Sequence, residues 1–355
     1  MPASATSASA TAAASGRTFV VTGAAGFIGM HAARRLLSSG HQVIGIDDLN
    51  PYYPPILKEA RLRQLTGGPH AGRFAFHRAD IADPAAIDAI FAAAGGPVDT
   101  VLHLAAQAGV RYSMQQPLAY SRSNLVGTTV LLEACRHHRA PHLVYASSSS
   151  VYGDRADPPF RETDTVDTPS SFYAATKRAN ELMVQSYCHL YGLRATGLRL
   201  FTVYGPWGRP DMAPWLFTEK IIAGTPIRVF GDGLPRRDFT FVDDAVDNIV
   251  RLIDRPAAGS ASPIDHRIVN IGSDSPVTVN GLIETVEALA GRAAIRRFEP
   301  LPPGDVPMTA ADPALLEQLG GARPWTPLAD GMARFVDWYR SEPEIAAAML
   351  ASRTA

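Results

Sequence analysis

The chain has 355 residues, 46% hydrophobic and 19% charged, a balance that suits a soluble globular protein of one large or two modest domains. A net charge of −1 leaves no general basic surface, so neither nucleic acid nor an anionic membrane is an expected partner. No apolar run approaches the roughly 18 residues that span a bilayer, and Cys135 and Cys188 both fall in predicted helices, which points to a reduced cytoplasmic protein without a disulfide framework.

Residues 1–16 are rich in Ala, Ser and Thr and lack both a basic segment and a long apolar core, so they read as a disordered leader and not as a signal peptide. Apolar strands and helical patterns then alternate. Phe19-Val-Val precedes a helix over 27–38, and Gln42-Val-Ile-Gly-Ile precedes a loop. Phe74-Ala-Phe precedes a helix over 84–93, and Thr100-Val-Leu-His-Leu a helix over 121–138. His142-Leu-Val-Tyr-Ala precedes a helix over 171–191, and Ala195–Leu200 closes the series. Near-continuous apolar strands between helices predict an α/β fold, a doubly wound parallel sheet covered on both faces. Proline and glycine then cluster at 205–214 and 231–235, and helices at 242–254, 278–290 and 329–340 stand apart. The predicted division is a first domain over 17–203 and a smaller mixed α/β lobe over 204–345, with one strand and helix free to return to the first sheet.

Gly23-Ala-Ala-Gly26-Phe27-Ile28-Gly29 directly follows the first strand and opens a helix. Glycines there allow a tight turn and let a pyrophosphate approach the backbone at the helix N-terminus. Asp47 ends the second strand, 18 residues after Gly29. A carboxylate in that place accepts hydrogen bonds from the adenosine ribose and repels a 2′-phosphate. No arginine accompanies it, so NAD is expected in preference to NADP. Asp80-Ile81 ends the third strand, where the adenine edge is expected, and Leu104-Ala105-Ala106 ends the fourth with small residues that permit close approach. Asn124 either orients a polar group below the cofactor or lies on a helix surface.

Tyr173 and Lys177 are four apart, on one face of the predicted helix. A nearby ammonium favours the phenolate, lowering a tyrosine pKa that starts near about 10. Such a tyrosine exchanges a proton with a sugar hydroxyl, and a serine of the run Ser147-Ser148-Ser149-Ser150 can hold the same oxygen. His103, His137, His138 and His142 carry no paired cysteine or carboxylate spacing, so no metal site is expected.

The Gly-x-x-Gly-x-x-Gly run, His103-Leu-Ala-Ala, Val151-Tyr152-Gly153 after the serines, Tyr173-x3-Lys177 and Arg237-Asp-Phe-Thr resemble the extended short-chain dehydrogenase/reductases, over about residues 17–340. Asp48-Leu-Asn-Pro-Tyr-Tyr, Ala106-Gln-Ala-Gly-Val-Arg-Tyr-Ser and Thr202-Val-Tyr-Gly-Pro-Trp-Gly-Arg-Pro-Asp-Met resemble, more narrowly, the UDP-glucuronate 4-epimerases within that family. The resemblance implies a Rossmann-type NAD domain with a nucleotide-sugar lobe, and a homodimer. It implies Tyr173 as catalytic base, Lys177 as its partner and a ligand of the NAD ribose, and Ser148 as the hydroxyl aligning the substrate oxygen. Arg237 and Asp305 match pyrophosphate and ribose contacts. Arg111 lies in a loop bordering the site, and no role is assigned to it.

Relatives of this kind also dehydrate or decarboxylate nucleotide sugars, with carboxylates after the catalytic serine. Here Ser149 and Ser150 stand in those places, so oxidation and re-reduction at C4 is expected without elimination. Ser149, Ser150 and Thr202 can donate hydrogen bonds to a C5 carboxylate, and Arg209 can add a bidentate pair. The expected activity is therefore 4-epimerisation of UDP-glucuronate. A 4-epimerase of a neutral UDP-hexose, a UDP-glucuronate decarboxylase and a catalytically silent NAD-binding protein are the alternatives.

Overall fold

The structure, a computed structural model, describes residues 16–155, 157–255, 265–301, 306–320 and 324–352. The leader, apart from Gly16, and Asp305 therefore lie outside the described residues. Twelve strands occur among those described: β1 (Thr18–Thr22), β2 (Gln42–Asp47), β3 (Phe74–Arg78), β4 (Thr100–His103), β5 (His142–Ser148), β6 (Arg194–Leu200), β7 (Thr202–Tyr204), β8 (Ile227–Phe230), β9 (Arg236–Phe241), β10 (His266–Ile271), β11 (Pro276–Thr278) and β12 (Arg296–Glu299). Seven of them form one parallel sheet in the order β10-β6-β5-β4-β1-β2-β3. The order reverses at β1, between β4 and β2, so a crevice opens beyond the carboxyl ends of β1 and β4, where open α/β sheets take their ligands.

Alternation along each strand covers both faces of this sheet. Phe19 and Val21 pack with Leu36 and Leu252 on one side. Val20 packs with Ile87, Leu131 and Val184 on the other. Helices Phe27–Ser38 and Val242–Asp254 thus lie on one face, and helices Pro84–Ala92, Gly127–His137 and Phe172–Tyr191 on the other. The return to the first sheet that the sequence allows is made by β10, paired with β6 from His266 against Ala195 to Ile271 against Leu200. Two small sheets, β11-β9-β7 and β12-β8, stand over the crevice side.

Two local expectations need correction. The segment after β2 contains a helix, Ile56–Thr66, where a loop was expected. Its buried side carries Lys58 and Arg61 between Leu57, Ala60 and Leu65, so the apolar period is broken by polar residues. The helix expected over 121–138 opens with a π-helical turn, Ser121–Val126, before the regular helix Gly127–His137. Cys135 and Cys188 are buried free thiols, and no helix among the described residues is long and apolar enough to cross a membrane.

Candidate active site

The glycine-rich turn is shaped by close approach. Gly23 has φ +72, and a Cβ there would lie 2.8 Å from the Ala105 nitrogen. A Cβ on Gly29 would lie 2.0 Å from the Gly23 carbonyl oxygen. Gly26 precedes helix Phe27–Ser38 in an extended conformation, and no side chain caps that helix. Its first N–H groups and dipole are therefore available to an anion. Gly23, Gly26, Phe27, Ile28 and Gly29 line a cavity of about 1060 Å³, larger than one small ligand needs.

Asp47, at the end of β2, lines the same cavity. Its Oδ2 accepts from the Ala25 N–H at 3.1 Å and its Oδ1 from the Leu49 N–H at 2.9 Å. Lys58 places its Nζ 3.9 Å from Oδ1. Burial pushes the Asp47 carboxyl up, against the pull of Lys58 and the two amides. Asp80, Ile81, Leu104, Ala105 and Ala106 complete this arm of the cavity. Asp80 is held by Arg122, whose Nε lies 2.9 Å from Oδ2. Small residues at 105–106, bare helix N–H groups and an acceptor at the end of β2 make a donor and acceptor set that fits a nicotinamide dinucleotide.

Asn124 is neither on a helix surface nor in the cavity wall. It is buried, and its amide joins Gln107 N–H at 2.8 Å, Gln107 O at 3.0 Å and Thr176 Oγ1 at 3.0 Å. Both amide protons are thereby used, so it ties the loop after β4 to helix Phe172–Tyr191 and fixes the neighbourhood of Lys177.

That helix begins where Ser171 Oγ accepts from the Ala174 N–H and ends at Gly192 with φ 69. Tyr173 thus sits in its first turn, with Lys177 a turn further on; both side chains line the cavity beside Ser148. Lys177 Nζ donates to the Ala146 carbonyl at 2.9 Å, and burial lowers its pKa to about 8. The expectation that Lys177 lowers the tyrosine pKa does not hold for this structure. Burial raises Tyr173, while a hydrogen bond with Ser148 and the Arg209 charge pull against it. The reason is geometric: the ammonium is turned to a carbonyl, and desolvation of the phenol dominates.

Ser149, Ser150, Thr202, Arg111, Arg237 and Arg209 all line the cavity. Ser148 is bound to its neighbour, with Ser150 N–H donating to Ser148 Oγ at 3.2 Å. Arg111 lies over the Phe230 ring, 4.3 Å from its centroid, bridging the β4 loop and β8. Arg209 is gripped at one edge: Nε and Nη2 reach Asp211 Oδ1 and Oδ2 at 3.0 and 2.5 Å, and Nη2 reaches the Ala108 carbonyl at 3.4 Å.

Four residues at or behind this site escape a reading by sequence. Lys58 supplies a cation beside Asp47. Asp211 occupies Arg209. Tyr52, in the loop after β2, donates to Asp211 Oδ2 at 3.1 Å. Arg61, fully buried, donates to the carbonyls of Ala25, Trp207 and Gly208 and to the Tyr53 hydroxyl. Tyr52 and Asp211 left a sequence signal, since each lies in a run that carries the family resemblance, but their pairing with Arg209 did not.

Residues 19–272 match the model of the NAD dependent epimerase/dehydratase family. The chain belongs to this family. Within the family, the chain is 45% identical over 335 residues to a probable UDP-glucuronate 4-epimerase of Rhizobium meliloti (strain 1021), covering 90% of this chain and 96% of the relative. Its fold matches UDP-glucuronic acid 4-epimerase from Bacillus cereus, solved with UDP-glucuronic acid and NAD, at a TM-score of 0.82 and 32% identity, over 91% of this chain and 99% of that one. UDP-glucose 4-epimerase from Thermotoga maritima, solved with UDP-glucose, matches at 0.81 and 28% identity, over 92% and 99%.

Proposed function

We propose that the chain catalyses 4-epimerisation of UDP-glucuronate to UDP-galacturonate with NAD as its resident cofactor. The observation that carries this reading is one cavity wall holding Ser148, Tyr173 and Lys177 together with Ser149, Ser150, Thr202 and Arg209, with no carboxylate after Ser148. The chemistry the dinucleotide supplies when bound is reversible hydride exchange with C4 of the sugar. Gly23, Gly26, Phe27, Ile28 and Gly29 hold its pyrophosphate, and Asp47 its adenosine ribose. Asp80 and Ile81 border its adenine, Leu104, Ala105 and Ala106 let it lie close, and Lys177 serves its other ribose.

Ser148 holds the C4 oxygen, and Tyr173, drawn toward the phenolate by its hydrogen bond with Ser148 and by the Arg209 charge against the pull of burial, takes the C4 proton and later returns it on the other face. Oxidation at C4 leaves the C5 carboxylate β to a ketone, where carbon dioxide is readily lost if the breaking bond aligns with the carbonyl π system. Arg209, Ser149, Ser150 and Thr202 fix the carboxylate away from that alignment. Arg237 and Asp305 anchor the diphosphate and ribose, so the reacting sugar turns while the rest stays. Residues 17–203 form the NAD-binding domain and 204–345 the sugar-binding lobe, with β10 returning to the first.

We also propose a cytoplasmic homodimer. The two buried free thiols support a reducing compartment. The dimer is supported by Leu182 and Leu190, 51% and 61% exposed on one face of helix Phe172–Tyr191, with Val126 exposed on the neighbouring segment.

A 4-epimerase of a neutral UDP-hexose is the second reading, favoured by the charge of Arg209 being already paired with Asp211. Incubation with UDP-glucuronate and separation of products decides between them: UDP-galacturonate supports the uronate reading, a UDP-pentose the decarboxylase, and turnover of UDP-glucose alone the neutral one.

A further inference from the structure

Arg209 faces the reacting end of the cavity with a guanidinium that is already half engaged. Its Nε and Nη2 edge is closed by Asp211 at 3.0 and 2.5 Å. Its second Nη2 contact, the Ala108 carbonyl at 3.4 Å, belongs to the loop after β4. Nη1 makes no hydrogen bond to the described residues. Asp211 is in turn held by the Tyr52 hydroxyl at 3.1 Å. Tyr52 packs on Tyr112 with ring centroids 4.7 Å apart, and Tyr112 on Tyr120 at 6.2 Å. Tyr120 is fully buried, donates to the Gly109 carbonyl at 2.6 Å, and meets the Tyr173 ring edge-on at 6.1 Å. The grip on Arg209 is thus built into the same packed group as the catalytic tyrosine.

We propose that Asp211, held by Tyr52, is a positioning residue that sets uronate selectivity by presenting Arg209 to the substrate through its Nη1 edge alone. This rests on the uronate reading above. A rotating guanidinium offers a carboxylate several bidentate poses, because each edge of the planar fork matches two carboxylate oxygens. With the Nε and Nη2 edge closed by Asp211 and Nη2 also turned to the Ala108 carbonyl, the substrate carboxylate meets a single donor, Nη1, whose place is fixed relative to Tyr173. The ion pair also cancels the charge of Arg209 before substrate arrives. Affinity for the uronate is thereby held down while its orientation is held fixed. Burial pushes the Asp211 carboxyl up, but Arg209 and Tyr52 pull it lower still, so the grip persists across neutral pH.

The test compares the full-length protein with Asp211→Asn and Tyr52→Phe, using UDP-glucuronate and UDP-glucose, and reads KM, kcat and the share of decarboxylated product. Asp211→Asn frees the cation and loosens it. KM for UDP-glucuronate should fall at least about 3-fold, kcat for epimerisation should drop about 10-fold, and the pentose share per turnover should rise about 5-fold or more. Any activity on UDP-glucose should shift by less than about 2-fold. Tyr52→Phe removes only the hydroxyl that steadies Asp211 and should move each quantity the same way by a smaller factor, which preserves the test if Asp211→Asn folds poorly. A merely structural role predicts a raised KM on both substrates with an unchanged product ratio, and that result overturns the proposal. Failure of the unaltered protein to convert UDP-glucuronate sinks the activity reading, and this proposal with it. Normal conversion with no split in the variants sinks this proposal alone.

Discussion

Lys177 is buried and Tyr173 partly so, and burial acts on them in opposite electrical senses: it raises the phenol and lowers the ammonium. Tyr173→Phe should abolish epimerisation and leave NAD in place, because only the proton-transfer group is lost; near-normal product formation would remove Tyr173 from the role of base. Arg209→Ala should cost UDP-glucuronate turnover roughly 10- to 200-fold in kcat/KM, since charged hydrogen bonds contribute about 1.5–3 kcal/mol. Any turnover of UDP-glucose should suffer less. Arg209 also pulls the Tyr173 pKa down, so its loss should move the acid limb of the pH–rate profile to higher pH; an unmoved limb would separate Arg209 from Tyr173. Lys177 has a folded pKa of about 8 against an ordinary 10.5. Between those values the unfolded chain holds more protons, so this residue makes stability rise with pH there and imposes its full penalty below about 8. Lys177→Met should therefore stabilise the cofactor-free protein at pH 7, by on the order of 3 kcal/mol at most, with the advantage shrinking toward pH 10. Denaturant titrations at the two pH values check this, and an equal difference at both would refute it.

At the scale of elements, helix Ile56–Thr66 is the least conspicuous piece of the site and the one that joins its halves. Arg61 reaches the glycine-rich loop through the Ala25 carbonyl at 3.2 Å and the substrate loop through the Trp207 carbonyl at 2.7 Å. Trp207 has φ +63, a conformation that costs a bulky residue on the order of 1–3 kcal/mol unless its surroundings hold it. Arg61 grips the carbonyls of Trp207 and Gly208 and so holds the chain leading into Arg209. Arg61→Met keeps the bulk and removes every donor, leaving three buried carbonyls short of a partner. The expected loss is about 2–5 kcal/mol of folding stability, read by denaturant unfolding, together with weaker retention of NAD. A variant as stable as the unaltered protein would mean water or other donors take over those carbonyls.

For the molecule as a whole, the exposed apolar face of helix Phe172–Tyr191 belongs to the same helix that carries Tyr173. In the homodimer proposed above, association through this face would bury the back of the catalytic helix and stiffen its front. Leu182→Glu with Leu190→Glu places charges on that face without touching the cavity. The expected outcome is a change from dimer to monomer in light scattering, with NAD still bound. A dimer that survives both charges would place the interface elsewhere.

The parallel sheet, the dinucleotide turn and the Ser148, Tyr173 and Lys177 set were legible in the sequence because each has a local signature. Apolar runs between helical periods mark the strands, glycines at fixed spacing mark the turn, and residues four apart share one helix face. Other features were decided only when the chain closed on itself. Whether Asn124 faces outward or inward is open in the sequence, and it is buried because three segments distant in sequence meet at its amide. Helix Ile56–Thr66 was hidden because Lys58 and Arg61 face inward and break the apolar period. The direction in which Tyr173 titrates was misjudged because desolvation depends on everything packed around a group, and no spacing along a chain reports it. Arg209 was visible as a cation, but its engagement by Asp211 and Tyr52 depends on two loops that the fold brings together. Local chemistry is written along the chain, whereas burial and pairing between distant segments exist only after the sheet and its covering helices have set the distances.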